Sequence, residues 1–127
     1  MNVTTCVITL ALLVGAFHLC LGGDVTTDQA SKALKQKKSK VFVLDVRKPE
    51  EYAKGHLKGA VLMDYYQPDF EAKLKTIPKT SSILIYCATG RRSAETMKKL
   101  EGLGYKNVDN MLGGFVAWSK EGKPYKK

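Results

Sequence analysis

Two apolar runs constrain the fold of this chain more than any other feature: residues 41–46 (VFVLDV) and Ser82–Tyr86 (SILIY). Both are rich in β-branched residues and close to continuously apolar, the mark of strands buried on both faces. Each is followed at once by a helix signal. After the first, Pro49 opens a short helix, Pro49–Lys54, that Gly55 ends. After the second, a helix is predicted from about Arg92 or Ser93 to Leu103, with Ala94, Met97, Leu100 and Leu103 inward and Gly102 and Gly104 at its end. Strands at 60–63 and 108–112 and a short helix at Phe70–Leu74, closed by Pro78, fill the gaps. Thr27-Asp28 can cap a helix over 27–37 with Ala30, Ala33 and Leu34 on one face, and after a Gly113-Gly114 turn a last helix over 115–120 buries Trp118. Buried strands separated by helices imply an α/β fold, a doubly wound and mainly parallel sheet with helices on both faces. Ligands of such sheets bind beyond the carboxyl ends of the strands. Asp45 and Cys87 both stand at such ends.

The 127 residues allow a single domain. Residues 1–23 hold no Lys, Arg, Asp or Glu, and residues 7–21 are almost wholly apolar. That run is shorter than the ~20 residues of a membrane helix and ends in Leu21-Gly22-Gly23, small residues of a kind a signal peptidase accepts. Residues 1–23 therefore read as a cleaved export leader, with an uncleaved anchor and a lipid anchor at Cys20 as the alternatives. The domain over 24–127 is then expected in the periplasm or outside the cell, with no membrane contact of its own. The 21 basic residues exceed the 12 acidic ones, for a net charge of +9. The lysines are scattered, and the clusters at Lys35-Lys37-Lys38-Lys40 and Lys126-Lys127 have no interleaved aromatics. A solvated basic surface that draws small anions fits this pattern better than a nucleic-acid groove.

Of the three cysteines, Cys6 and Cys20 lie in the leader, so the exported domain keeps only Cys87. A lone thiol in an oxidising compartment is either an inert filler or kept for its reactivity. Position favours the second. The strand delivers Cys87 into Ala88-Thr89-Gly90-Arg91-Arg92-Ser93, a short loop that runs straight into a helix. Loop amides and the first helical turn have no intrahelical partners and can point at the sulfur. With two guanidinium groups nearby, they favour thiolate over thiol and hold an anionic substrate. Gly90 lets the backbone bend so that the amides converge. One Cys and one His, His56, cannot fill a four-coordinate zinc site, and no cofactor is implied.

The segment from Cys87 to Ser93 resembles the active-site loop of single-domain rhodaneses, Cys-x-x-Gly-x-Arg followed by Ser. Upstream, Leu44-Asp45-Val46-Arg47, Glu50-Glu51-Tyr52, Gly55-His56-Leu57 and Gly59-Ala60 are similar to the family's first signature. Downstream, Gly104-Tyr105, Val108, Leu112-Gly113-Gly114 and Trp118 are similar to its C-terminal one. The resemblance implies a five-stranded parallel sheet and a monomeric sulfurtransferase that moves a sulfane sulfur from thiosulfate or polysulfide to a thiol, sulfide or cyanide through a Cys87 persulfide. It implies that Ala88, Thr89, Gly90, Arg91, Arg92 and Ser93 bind substrate and that His56 is scaffold. Loop length separates this chemistry from that of a phosphatase, which needs Cys-x5-Arg; here Arg92 is five positions beyond Cys87. Arg91 falls at an x position and is either a contact or solvated. Ser93 is expected to cap the helix, and Asp45 and Arg47 to anchor the loops around the site.

Overall fold

The structure of the protein, a computed structural model, describes residues 22–36 and 40–127. The expected leader lies outside the described residues apart from Gly22 and Gly23. Five strands, β1 (Gly23–Val25), β2 (Val41–Asp45), β3 (Val61–Leu62), β4 (Ser82–Tyr86) and β5 (Asn107–Met111), form one sheet in the order β1-β5-β4-β2-β3. Every pairing is parallel. Among the described residues five helices accompany them: α1 (Thr27–Lys35), α2 (Pro49–Lys54), α3 (Phe70–Leu74), α4 (Arg91–Gly102) and α5 (Gly114–Lys120).

The two faces of the sheet carry separate cores, and β4 shows why. Successive side chains of a strand point to opposite faces, so Ile83, Ile85 and Cys87 pack with Phe70, Leu74 and Leu100 from α3 and α4. Leu84 and Tyr86 pack on the other side with Ala30 of α1 and Trp118 of α5. The cysteine therefore belongs to the α4 face. The inward residues of α4 are Ser93, Thr96 and Leu100, with Met97 and Leu103 packed against the same core.

Several boundaries differ from the sequence reading, each for a local reason. The first helix is capped by Thr26 rather than Thr27-Asp28: Thr26 accepts from the Gln29 N–H and Gln29 returns the bond to the Thr26 N–H, a reciprocal capping box. It ends at Lys35, and Lys37 lies outside the described residues. The domain's first strand starts at Gly23, one residue before the expected boundary. No periodic pattern marks the three residues of β1; pairing with β5 alone makes them a strand.

The turn at Gly113-Gly114 brings α5 against the end of β4. Phe115 N–H donates to the Cys87 carbonyl at 2.8 Å and Val116 N–H to the Ala88 carbonyl at 3.0 Å. Gly114 has φ +58°, and a Cβ there would stand 2.5 Å from both of those carbonyl oxygens. Gly114→Ala is therefore expected to destabilise the fold by about 2 kcal/mol or more, from left-handed strain and the clash together. Denaturant midpoints of the two proteins check this.

Candidate active site

Cys87 is 1% exposed and lies just past the carboxyl end of β4, between β2 and β5. Its Sγ accepts hydrogen bonds from Gly90 N–H at 3.1 Å, Ser93 N–H at 3.4 Å and the Ser93 hydroxyl at 3.4 Å. The loop can close this tightly because Gly90, the residue before α4, takes φ +111°. Burial pushes the thiol up, but the bonds from Ser93, Gly90 and Thr89 outweigh it and leave the cysteine below its ordinary range.

This corrects the expected role of Ser93. Helix α4 starts at Arg91, and the residue in the cap position is Gly90, which has no side chain to offer. Ser93 stands one turn in, fully buried, with its hydroxyl on the sulfur. Ala88 turns its carbonyl toward α5, Thr89 is exposed, and Arg91 projects from the first turn of α4 as an exposed side chain.

Arg92 is placed differently from a direct partner of the sulfur. Its guanidinium is bidentate to Glu51, Nη1 to Oε1 at 3.0 Å and Nη2 to Oε2 at 3.2 Å, and its Cζ lies 6.0 Å from the Tyr66 ring centroid. Glu51 first raises its pKa, and the charge of Cys87 adds in the same direction. Arg92 in turn holds Glu51 below the usual carboxylate range. Glu51 also accepts from Lys48 N–H at 3.0 Å, so it closes the start of α2 and positions Arg92 at once. Sequence reasoning left Glu51 out of the site. Its place as third residue of a helix opened by Pro49 was visible; its partner on α4 was not.

Asp45 and Arg47 form a buried pair, with the Asp45 Oδ2 to Arg47 Nη2 distance 2.7 Å. Arg47 Nη2 also donates to the Gly55 carbonyl, and its Cζ lies 4.4 Å from the Phe115 ring centroid. The pair thus ties the end of β2 to the turn after α2 and to α5, the anchoring expected of it. The ring of His56 stacks on Tyr52 at 3.7 Å, and its backbone bridges to Lys126. Trp118 is buried and donates through Nε1 to the Pro124 carbonyl at 2.9 Å. Among the described residues no group of three His, Cys, Asp or Glu side chains gathers as metal ligands would. No helix among them is long and apolar enough to cross a membrane.

A thiol poised toward thiolate inside a ring of N–H donors can act as a nucleophile and hold an anion next to itself. Comparison with known proteins agrees in family. The family model "Rhodanese-like domain" matches residues 26–121. A putative sulfurtransferase, YtwF, of Bacillus subtilis is 35% identical over 98 residues, spanning 75% of this chain and 92% of that protein. A sulfurtransferase of Allochromatium vinosum is 33% identical over 84 residues, spanning 66% of this chain and 77% of that protein. Among solved structures, a rhodanese-like domain protein of Staphylococcus aureus superposes with a TM-score of 0.71 at 32% identity, covering 83% of this chain and 99% of that one. With the sheet order, the cysteine loop and these relatives in agreement, the chain belongs to the rhodanese-like domain family.

Proposed function

We propose that this protein is a sulfurtransferase that carries sulfane sulfur as a persulfide on Cys87. The observation that carries the reading is the ring of donors from Gly90 and Ser93 closed on a single buried thiol. The Cys87 thiolate attacks the outer sulfur of thiosulfate or a polysulfide. A sulfur–sulfur bond forms on Cys87 while the donor's own sulfur–sulfur bond breaks, and sulfite or a shortened polysulfide leaves with the electron pair. The loop N–H groups face the outer sulfur, which keeps its negative charge as the persulfide anion, while the charge of the Cys87 thiolate passes to the leaving group. A thiol, sulfide or cyanide acceptor then attacks that outer sulfur and returns Cys87 to thiolate. No proton need be removed from Cys87 during attack once the thiolate is formed, so His56 has no step to perform. Residues 88–93 form the substrate cradle in this reading, with Arg92 at its rim beside Glu51.

Thiosulfate should add one sulfur atom to the protein, seen as intact mass, and cyanide should remove it as thiocyanate. Cys87→Ser should abolish both steps. Arg92→Ala should keep the fold and lower turnover by about 10²-fold if its charge stabilises the leaving group as an oxyanion donor does. A protein that gains no mass from thiosulfate or polysulfide yet hydrolyses an aryl phosphate would overturn the reading.

The thiol supplies a second prediction. Its alkylation rate against pH should have a midpoint below the ~8.5 of a free cysteine. Ser93→Ala should raise that midpoint by up to about one unit, the equivalent of one lost bond to a charged group. Arg91→Ala should leave it nearly unchanged. Because the folded value is the depressed one, the thiolate's contribution to stability is full above the unfolded pKa and fades as pH falls through the folded one.

Export belongs to the same proposal. The uncharged, apolar stretch before Asp24 acts as a cleaved leader, and the sulfur chemistry takes place in the periplasm or outside the cell. Protein recovered from the native host should begin near Gly23 or Asp24.

A further inference from the structure

Asp109, in β5 at the far side of β4 from β2, is a buried carboxylate that the sulfur chemistry does not use. It is 5% exposed. Its described partners are two backbone donors, Gly22 N–H at 2.9 Å and Gly23 N–H at 3.4 Å, both to the same oxygen, Oδ1. None of the ion pairs among the described residues includes it. Burial pushes it up from the ordinary carboxylate range, and the two N–H groups only partly oppose that. A buried carboxylate without a cation is costly, and such groups are normally paired.

The neighbouring described groups do not supply the missing charge. On β1, Asp24 is acidic itself and accepts from Asn110 Nδ2 at 3.2 Å. Lys106, just before β5, makes none of the ion pairs among the described residues. What does face Asp109 is the backbone of Gly22 and Gly23, where the export leader ends. A leader peptidase wants small residues at the first and third positions before the cut. Cleavage between Gly22 and Gly23 places Gly22 and Cys20 there, whereas cleavage one bond later places Leu21 at the third position.

We propose that leader removal at the Gly22–Gly23 bond creates a terminal ammonium on Gly23 that pairs with the buried Asp109 carboxylate and fastens β1 to the edge of the sheet. Water adds across the peptide bond, Gly22 departs as the new carboxylate end of the leader, and the Gly23 amine takes up a proton. The Gly22 N–H bond is lost with the leader, and an ammonium with three N–H donors replaces the single amide N–H of Gly23 beside Oδ1. The processed chain retains the whole described core, which runs from Ala30 to Trp118. Maturation thus supplies a cation that Asp109 lacks among the described residues.

The inference rests on the export reading, and one experiment separates the two. The full chain, leader included, is expressed in an exporting host, and the processed protein is recovered and sequenced from its amino end. Its amines are then ¹³C-methylated and the terminal one is titrated by NMR. The expected result is a Gly23 start and a terminal amine that titrates at least one unit above the ordinary ~8, a tenfold gain in proton affinity. Asp109→Asn should return it to the ordinary value, and Asp24→Asn should keep most of the elevation. Should Asp109→Asn not be recovered folded, the wild-type titration decides alone. A Gly23 start with an amine at or below ~8, or an elevation that survives Asp109→Asn, overturns the ion pair and leaves export standing. A Met1 start overturns both, and an Asp24 start overturns the pair because the ammonium then lies one residue from Asp109.

Discussion

Two backbone hydrogen bonds hold the site in shape: Phe115 N–H to the Cys87 carbonyl and Val116 N–H to the Ala88 carbonyl. In a trans peptide the C=O and the following N–H point in opposite directions. Drawing the Ala88 carbonyl toward α5 therefore turns the Thr89 N–H away from α5, and Thr89 N–H is one of the groups that lower the Cys87 pKa. The left-handed turn at Gly90 continues the curl, and the first turn of α4 then brings Ser93 N–H under the sulfur. The cradle is a consequence of how the start of α5 docks, each of its two donors lying 28 positions further along the chain than the carbonyl it holds. Gly114 is what permits the docking, since no side chain fits between it and those two carbonyls.

The same docking depends on the buried Asp45–Arg47 pair. Arg47 lies against the ring of Phe115, whose N–H makes the first of the two bonds, and reaches the Gly55 carbonyl on its other side. A buried ion pair is poor evidence of stability in itself, because desolvation offsets most of the attraction. Its value here is geometric. It joins the end of β2, the turn after α2 and the start of α5, three segments that surround the cysteine loop without sharing a strand. Arg47 keeps a raised pKa against the burial that would lower it, because Asp45 accepts from it and lies beside it.

How much of this could be read from the residues follows the range of the interactions. Strands β2 and β4 were legible because burial on both faces leaves a run of apolar residues, and α2 and α3 because proline, glycine and short apolar spacing mark their ends. The reactive cysteine was legible because strand, loop and helix are consecutive in sequence. Strand β1 was not, since Gly23-Asp24-Val25 has no pattern until β5 lies beside it. Nor was the bond between Glu51 and Arg92, which joins residues 41 apart. Ser93 was misread for a related reason. A serine near a helix start reads as a cap, and only the positive φ of Gly90 moves the start back far enough to put Ser93 inside the helix and against the sulfur.

The Glu51–Arg92 pair also changes which force readies the thiol. Read from sequence, two guanidinium groups share the work with the amides. In the structure Arg91 is exposed and Arg92 has its donors on a carboxylate, so the leading influences that favour the thiolate are hydrogen bonds from Ser93, Gly90 and Thr89. Fixed donors act at full strength next to a buried sulfur, whereas a guanidinium paired with a carboxylate is partly neutralised. A division of labour follows. In the proposed reaction the loop amides set the ionisation of Cys87 before substrate arrives, and Arg92, held by Glu51, would offer its remaining N–H groups to an incoming anion. A cation left free beside the thiolate would bind any anion and block the sulfur. Glu51 lowers that risk, and a donor that carries its own negative charge must compete with a carboxylate for the same guanidinium. In the proposed reaction the rim would favour anions that bring their reactive sulfur within reach of Cys87, because those gain from the loop donors what they lose in the competition at Arg92.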